Sequence, residues 1–522
     1  MLYPPVRYCS TCKRPLKEPL RRKIVLFTLH SGTHAGYATS LYCRKCHLRY
    51  HPNYTISAST DQRRYYGGIP REIEVAKHFY VTSSLSGFFL TTMSINWGAA
   101  SNCATTYNMA IAQSPHHQAA RWPFEYSIQP NHIWNSFYLF SLLSDFEERE
   151  DRPILILPNS GEQDERLKAA VEERNAHIVT NGTEFWDHAC QGCCLLRLDE
   201  KSGIMKKMRA VVVDGVTLGH PCCGVHNCTI PLRKNNRRFC ETHSSLHSQC
   251  VVTGCSRPVE EGHQTCALAE HQALESARRL GGSAFFKLKR RFLRIIGRPE
   301  SSTEATSDDL EEILDEEALE DYEDSEVKSS SGNKVPKARF GRRRTHNEQL
   351  VVSPCGIIIA RATMFGAEGI EAHKAFLKSV FRQPSAVPDV IFYDNNCTFC
   401  AHLQKQNDHF FDAAILPVDV FHFECKHKVT DTFCQENCNP ARYPALYDES
   451  GKWVFNSSAA EQTNSWINGY LPMVRDMLPH KYNFFLDEMI RQRNKHIVRK
   501  LTETKKYPYH LPLTTLFPPI VD

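Results

Sequence analysis

The sequence predicts an α/β protein, because short apolar strands alternate with amphipathic helices. Runs rich in β-branched and aromatic residues occur at 208–219 (MRAVVVDGVTLG), 351–365 (VVSPCGIIIARATMF) and 388–394 (PDVIFYD), and such runs are typical of buried strands. Segments 161–177 (GEQDERLKAAVEERNAH) and 368–381 (EGIEAHKAFLKSVF) have helical spacing. Cysteines clustered with histidines add a second feature, which predicts metal-stabilised modules between these elements.

These patterns divide the chain into segments whose order can be predicted. We expect a zinc-ribbon-like cysteine module (1–60), a mainly helical region (61–200) with helical spacing from residue 71, the first part of an α/β core (201–219), a cysteine-rich zinc insertion (220–275), a basic helix and disordered linker (276–347), the rest of the core (348–500) and a C-terminal tail (501–522).

The linker prediction rests on residues 299–347, which are poor in hydrophobic residues and rich in Ser, Asp and Glu. Its basic end, 334–347, is either a nuclear localisation signal or a solvated run. The amphipathic helix predicted at 284–298 either touches DNA or edges a domain.

Composition bounds the class of protein. No apolar run approaches the ~18 residues of a membrane span, and the start has no signal-peptide core, so we expect an intracellular protein. The 21 cysteines in 522 residues are too few for a disulfide scaffold, and in a reducing compartment clustered cysteines more often hold metal.

The net charge of +5 is unevenly spread. Residues Asp308 to Glu326 hold twelve acids and no Lys or Arg, so the rest of the chain is more basic than the total suggests. This excess suits a polyanion partner, although an ordinary basic surface would give the same value.

Three acids are candidates for a divalent-metal site. Asp214 and Asp394 each end a short apolar strand, and Glu461 lies in the first turns of a helix that Ser457 or Ser458 can cap. Phosphoryl transfer on DNA uses two divalent ions about 3.5–4 Å apart, and carboxylate oxygens suit Mg²⁺ or Mn²⁺. Strand-end acids are common, so the spacing alone does not establish such a site.

The insertion contains an internal repeat that predicts two structural zinc sites. Each unit offers three thiolates and one imidazole, a closed tetrahedral set. The predicted ligands are Cys223, Cys228, Cys240 and His243 in the first unit and Cys250, Cys255, Cys266 and His271 in the second. Cys222 and His226 are alternative ligands.

Three further groups of cysteines are weaker candidates. The first is a zinc-ribbon pattern with a spacer longer than the usual ~15–20 residues, formed by Cys9, Cys12, Cys43 and Cys46, with His47 and His51 as substitutes. The second lies between the second and third acids, where four of its residues could bind zinc or all could be buried without metal. Its members are Cys397, Cys400, His402, Cys425, His427, Cys434 and Cys438, and the favoured ligands are Cys397, Cys400, Cys425 and His427. The third, at the first strand, consists of His188, Cys190 and Cys193.

Several phrases resemble the Kyakuja–Dileera–Zisupton (KDZ) transposases and their associated cysteine clusters. They are HACQGC, VVVDGVTLGHPCC, VIFYDNNC, LPVDVFHFECKHK, FCQENCNPARYP, GKWVFNSSAAEQTNSWINGY and KYNFFLDEMIRQRN, spread over roughly 120–495. The resemblance implies a DDE transposase with an RNase-H-like core interrupted by the zinc insertion. By motif, Asp214, Asp394 and Glu461 would be the first, second and third acids.

The expected function is therefore metal-dependent cleavage and strand transfer at transposon ends. It would need double-stranded DNA as partner, Mg²⁺ or Mn²⁺ at the acids, structural Zn²⁺ and a nuclear location; assembly into a homo-oligomer stays open. The alternative is an inactive or host-recruited derivative that binds DNA or protein through its zinc modules. The sequence contains no Walker phosphate loop, dinucleotide fingerprint or H-E-x-x-H motif.

Overall fold

The computed structural model describes residues 1–112, 122–149, 153–199, 203–281, 338–367, 369–428 and 430–517. Within these ranges the chain is a mixed α/β structure with two main sheets. No helix in the described ranges is both long enough and apolar enough to cross a membrane.

The N-terminal sheet has eight strands in the order β6-β7-β1-β2-β3-β4-β5-β8. Its strands are β1 (Lys17–Thr28), β2 (Gly32–Cys43), β3 (Leu48–Tyr50), β4 (Tyr54–Ser57), β5 (Gln62–Tyr65), β6 (Glu72–Ala76), β7 (Phe79–Thr82) and β8 (Ile156–Pro158). All neighbours pair antiparallel except β1 and β7, which are parallel. The predicted module 1–60 is therefore not separate, because its strands continue into β5–β8.

The prediction of a helix from residue 71 is wrong for the first part of that segment, which forms strands β6 and β7. Ile73 and Val75 on β6 and Tyr80 and Val81 on β7 are fully buried in a strand pair. Helix begins only at Ser83, where the Thr82 side chain accepts a hydrogen bond from the main-chain N–H of Leu85. A short run of β-branched and aromatic residues fits the spacing of a helix as well as that of a strand. Here the pairing of β7 with β1 stabilises the strand.

Four helices accompany this sheet. They are α1 (Ser83–Asn96), α2 (Ala100–Thr106), α3 (Pro130–Glu148) and α4 (Gln163–Asn181). The exposed helix predicted at 161–177 is α4, although Leu167, Ala170 and Val171 on one face join the core.

The second sheet positions the candidate acids. Its five strands are β10 (Cys194–Asp199), β11 (Ile204–Val216), β14 (Asn347–Val352), β15 (Ile358–Met364) and β16 (Val390–Tyr393). Strand β11 pairs antiparallel with β10 and β14 and parallel with β16, and β14 pairs antiparallel with β15. Both faces are buried, because Val212 joins the core shared with the N-terminal region and Val211 and Val213 join a second core. Burial on both faces explains the unbroken apolar run.

The remaining elements surround this sheet. The short strands are β9 (His188–Ala189), β12 (Pro221–Cys222), β13 (Arg343–Arg344) and β17 (Tyr509–His510). The helices are α5 (Ala269–Gly281), α6 (Ile370–Phe381), α7 (Asn396–Gln406), α8 (Val420–Lys426), α9 (Thr432–Asn437), α10 (Ala459–Asn468), α11 (Leu471–Val474), α12 (Pro479–Glu503) and α13 (Leu513–Leu516).

The prediction of a disordered linker is wrong at its basic end, residues 338–347. Residues 282–337, including the predicted basic helix and the acidic run, lie outside the described residues. Residues 338–347 contact the insertion: β13 pairs with β12, and the Arg339 main-chain N–H donates to the carbonyl of Val251. Main-chain pairing with the insertion thus overrides the polar composition of this stretch.

A buried ion pair joins α4 to α12. Arg174 and Glu488 lie 2.8 Å apart, with side chains 1% and 0% exposed, and Arg491 lies 3.6 Å from the same carboxylate. Burial alone would raise the pKa of Glu488, but Arg491 and Arg174 hold it below its ordinary value.

Removing the Glu488 carboxylate should therefore destabilise the fold strongly. We expect Glu488→Ala to lower the free energy of unfolding by about 3–5 kcal/mol, because Arg174 is left buried without its partner. Asp164→Ala is the matched control: it breaks the exposed pair with Lys481 between the same helices, and should cost less than about 1 kcal/mol.

Urea unfolding of both variants measures the difference. The depressed pKa of Glu488 means that its contribution is present above the unfolded value of about 4.3 and is lost as pH falls through the folded value. Equal costs for the two variants would contradict the assignment of Glu488 as a buried ionic anchor.

Candidate functional site

Asp214 and Asp394 follow the same point on two neighbouring strands. The parallel pairing of β11 with β16 sets Val212 opposite Phe392 and Val213 opposite Tyr393. The next residue of each strand is an aspartate, so the register places the two acids side by side at one edge of the sheet. Both side chains are partly exposed there.

Glu461 approaches the same edge from α10. This helix packs against β11, and Glu461 lies in its first turn with an exposed side chain. One small cavity is lined by Asp214, Asp394 and Glu461 together. Ser458 occupies the N-cap position without a side-chain capping bond, whereas Ser457 accepts a hydrogen bond from the N–H of Val420.

The carboxylate of Asp214 is oriented by its neighbours. Oδ1 accepts a hydrogen bond from the main-chain N–H of Gly215 at 2.7 Å, and Oδ2 accepts one from Nδ2 of Asn464 at 2.7 Å. Nδ2 of Asn464 also donates to the carbonyl of Gly215 at 3.2 Å. These bonds fasten α10 to the end of β11 and fix the carboxylate that faces the cavity.

Asp419 and His422 line the cavity as well, and the sequence argument did not single them out. Asp419 is 5% exposed; it caps α8 by accepting from the N–H groups of Phe421 and His422, and it also contacts Nδ1 of His422. The sequence did contain a signal for this pair, because Asp419 directly precedes a short helical segment and His422 follows it three residues later. The cavity therefore gathers four carboxylates and one imidazole.

The three acids are spaced more widely than the ligands of a single ion. Among the described residues, five groups of at least three Cys or His have ligand atoms within 4.8 Å of one another, and the acids form no such group.

Both predicted zinc sites of the insertion assemble from the expected residues. In the first, Cys228 and Cys240 sulfurs lie 3.8 Å apart, and Nδ1 of His243 lies 3.3 Å from the Cys240 sulfur. In the second, Cys255 and Cys266 sulfurs lie 3.9 Å apart. The remaining members of the two groups are Cys223, Cys250 and His271.

These separations, 3.3–3.9 Å, are close to the edges of a tetrahedron around Zn²⁺, whose bonds of about 2.3 Å to sulfur and 2.0–2.1 Å to nitrogen set edges of about 3.5–3.8 Å. The alternatives are not members: Cys222 lies in β12, and His226 contacts Arg343.

The N-terminal group also comes together. It consists of Cys9, Cys12, Cys43 and Cys46, and the Cys12 and Cys43 sulfurs lie 3.5 Å apart. The long spacer is the β1–β2 hairpin, which starts beside the first cysteine pair and returns to the second. His47 instead contacts the Tyr42 hydroxyl, and neither it nor His51 belongs to the group.

The group beside the acids differs from the prediction in two ligands, because neither Cys400 nor Cys425 belongs to it. Cys397, His427 and Cys434 have converging ligand atoms, and Cys400 pairs with Cys438 at 3.6 Å between sulfurs. Cys425, the predicted ligand, is exposed on α8 and outside the group. His402 contacts Glu371 instead. Helix α8 turns Cys425 outward, and α9 supplies Cys434 in its place.

His427 connects this group to the second acid. Its Nε2 donates to the carbonyl of Asp394 at 3.0 Å, so the lone pair of Nδ1, which lies 3.2 Å from the Cys434 sulfur, could bind a metal. Such a bond to the second nitrogen is typical of metal-binding histidines. A metal here would help to fix the main chain at Asp394.

A further group contains a member that sequence spacing did not reveal. His188, Cys190 and Cys193 converge with Cys355, from the turn between β14 and β15. Cys355 lies too far along the sequence for any local spacing rule to find.

The matches to known families lie over the cysteine clusters of the chain. The family described as a CxC5 like cysteine cluster associated with KDZ transposases matches residues 1–111. The family described as a CxC6 like cysteine cluster associated with KDZ transposases matches residues 212–277. No curated protein and no solved structure matches the chain significantly. The resemblance noted in the sequence is thereby confirmed: two segments of the chain match cysteine clusters that are associated with KDZ transposases.

Proposed function

We propose that this chain is a DDE-type transposase that cleaves DNA at transposon ends and joins the freed end to target DNA. One observation carries the proposal: the parallel register of β11 and β16 aligns Asp214 with Asp394, and α10 brings Glu461 to the same cavity. The association of its cysteine clusters with KDZ transposases supplies the reaction class.

The donor set fits hard divalent ions. Three carboxylates, one of them exposed, offer oxygen ligands at the edge of a sheet, as Mg²⁺ and Mn²⁺ prefer. Two such ions would supply an activated water and neutralise charge on the attacked phosphate. Asp214 and Asp394 would hold them, and Glu461 would complete the second position.

An RNase-H-like core is part of the proposal. Antiparallel strands β15, β14 and β11 continue into parallel β16, and the insertion interrupts the chain between β11 and β14. A mixed sheet with acids at adjacent strand ends supports this assignment, and the burial of β14 and β16 on both faces gives the acids a rigid base.

The zinc insertion is the proposed DNA-binding surface. Its first unit carries exposed basic side chains at Arg233, Lys234 and Arg237, and Arg342 from the following segment donates to the carbonyl of Asn235 beside them. Clustered Lys and Arg neutralise phosphates, so affinity should fall as salt rises. The substrate would be double-stranded DNA in the nucleus.

The second candidate is a recruited, non-enzymatic derivative that binds DNA or protein. One observation favours it: both oxygens of Asp214 already accept hydrogen bonds, from Gly215 and Asn464. Such a carboxylate has a role in fastening α10 to β11 even without an ion. The two candidates differ in whether the chain cuts DNA.

A cleavage assay on the ends of its own element distinguishes them. Full-length protein should cut these ends with Mg²⁺ or Mn²⁺ and not after chelation; Mg²⁺ should restore cutting, and Zn²⁺ alone should not, since zinc suits the thiolate sites. Salt-sensitive DNA binding without cleavage under any of these conditions would favour the recruited derivative.

A further inference from the structure

The group His188, Cys190, Cys193 and Cys355 lies outside both family-matched ranges. It borders the second sheet, where the main-chain N–H of Ala210 on β11 donates to the carbonyl of Cys193. Three of its members are nearly inaccessible, with His188 8%, Cys190 0% and Cys193 3% exposed. Asp214 lies farther along β11, and no member of this group lines the cavity of the candidate active site.

The distances in the group are those of one tetrahedral ion. The Cys190 and Cys193 sulfurs lie 3.7 Å apart, and the Cys355 sulfur lies 3.4 Å from Nε2 of His188. Zinc bonded to sulfur and nitrogen at its usual distances gives edges of about 3.5–3.8 Å. A disulfide would bring two sulfurs to about 2.05 Å, so the thiols are not paired with each other.

Gly192 shows that the approach of Cys355 is built into the fold. A Cβ atom at this position would lie 3.3 Å from Cβ of Cys355 and 3.6 Å from the Cys190 sulfur. The Gly192 N–H also donates to the Cys190 sulfur at 3.3 Å, and such a bond favours the thiolate form that metals require. A side chain at this position would push against Cys355 and the Cys190 sulfur.

The four ligands come from parts of the chain that are far apart in sequence. His188 lies on β9, which pairs with β17 near the C-terminus, and the Gln191 N–H donates to the carbonyl of Lys506. Cys355 lies beyond residues 282–337, in the turn between β14 and β15. One ion at this point would fix the segment before β10 to that turn, and main-chain hydrogen bonds attach the C-terminal segment to the same place.

We propose that His188, Cys190, Cys193 and Cys355 bind one structural zinc ion that links the segment before β10 to the turn between β14 and β15. Three thiolates and one imidazole fill the tetrahedron and leave no position for a reacting water. The site does not rest on the proposed DNA chemistry.

Metal content of Cys355→Ser tests this site. Soluble full-length Cys355→Ser should contain about one zinc ion fewer per chain than the wild type. Cys194→Ser is the matched control: Cys194 follows a ligand and is buried, but its sulfur contacts the Tyr509 hydroxyl, so zinc content should not change. Unchanged zinc in Cys355→Ser, or iron in place of zinc, would overturn the proposal.

Thiol mapping on the wild type covers the case in which Cys355→Ser is insoluble. Alkylation read by peptide mass spectrometry should leave Cys190, Cys193 and Cys355 protected until a chelator removes the metal, after which all three should react together. Cys103, a buried core thiol outside every group, should react at the same rate throughout. Labelling of the three ligands that is independent of the chelator would refute a shared ion.

Discussion

Asp394→Asn is expected to abolish DNA cleavage while DNA binding survives. The substitution keeps the size of the side chain but removes its negative charge at the end of β16, beside Asp214. Without it the divalent ions would be poorly held in the transition state, and cleavage should fall by more than about 100-fold. Binding should persist because it rests on Lys and Arg contacts to phosphates.

The experiment compares cleavage and binding for each purified variant. Asp412→Asn is the control, because Asp412 is exposed, contacts His409 and does not line the cavity; it should behave like the wild type. Binding is followed by fluorescence anisotropy over a range of salt concentrations. Full cleavage by soluble Asp394→Asn would remove Asp394 from the catalytic set.

Cys240→Ser should have a different effect, on folding rather than chemistry. Cys240 is 1% exposed. Its sulfur lies in the first insertion site, 3.8 Å from the Cys228 sulfur and 3.3 Å from Nδ1 of His243. Zinc at such sites contributes on the order of 10 kcal/mol to folding. We expect the loss of about one zinc ion per chain and a much lower soluble yield.

Cys222→Ser provides the control for this variant. Cys222 is also buried and lies next to a ligand in sequence, but it belongs to β12 and not to the zinc group. Elemental analysis and soluble yield should therefore remain near the wild-type values. Unchanged zinc in soluble Cys240→Ser, or an equal loss in Cys222→Ser, would refute the ligand assignment.

Local sequence could predict two kinds of feature: strands that are buried on both faces, and metal sites whose ligands lie close together in sequence. The strand at Val211–Val213 was recognisable because both of its faces are covered, which demands an unbroken apolar run. The insertion sites were recognisable because each closes within one short loop. The β6–β7 pair was not, since only its pairing with β1 distinguishes it from helix.

The misses in the metal groups have a similar cause. Cys355 lies beside His188 through the tertiary fold, 167 residues away in sequence, so no local spacing rule could find it. The direction of α8 decides between Cys425 and Cys434, and this direction depends on packing beyond the motif. Asp419 belongs to the cavity because its helix lies beside α10, a contact between segments far apart in sequence.

The most direct test of the central claim is to locate divalent ions at the three acids. Crystals of the protein with its transposon end and Mn²⁺ should show two anomalous peaks about 3.5–4 Å apart, bounded by Asp214, Asp394 and Glu461. Such peaks would establish the acids as a two-ion site for DNA cleavage. Peaks only at the cysteine groups, with the acids bare and DNA bound elsewhere, would contradict the account.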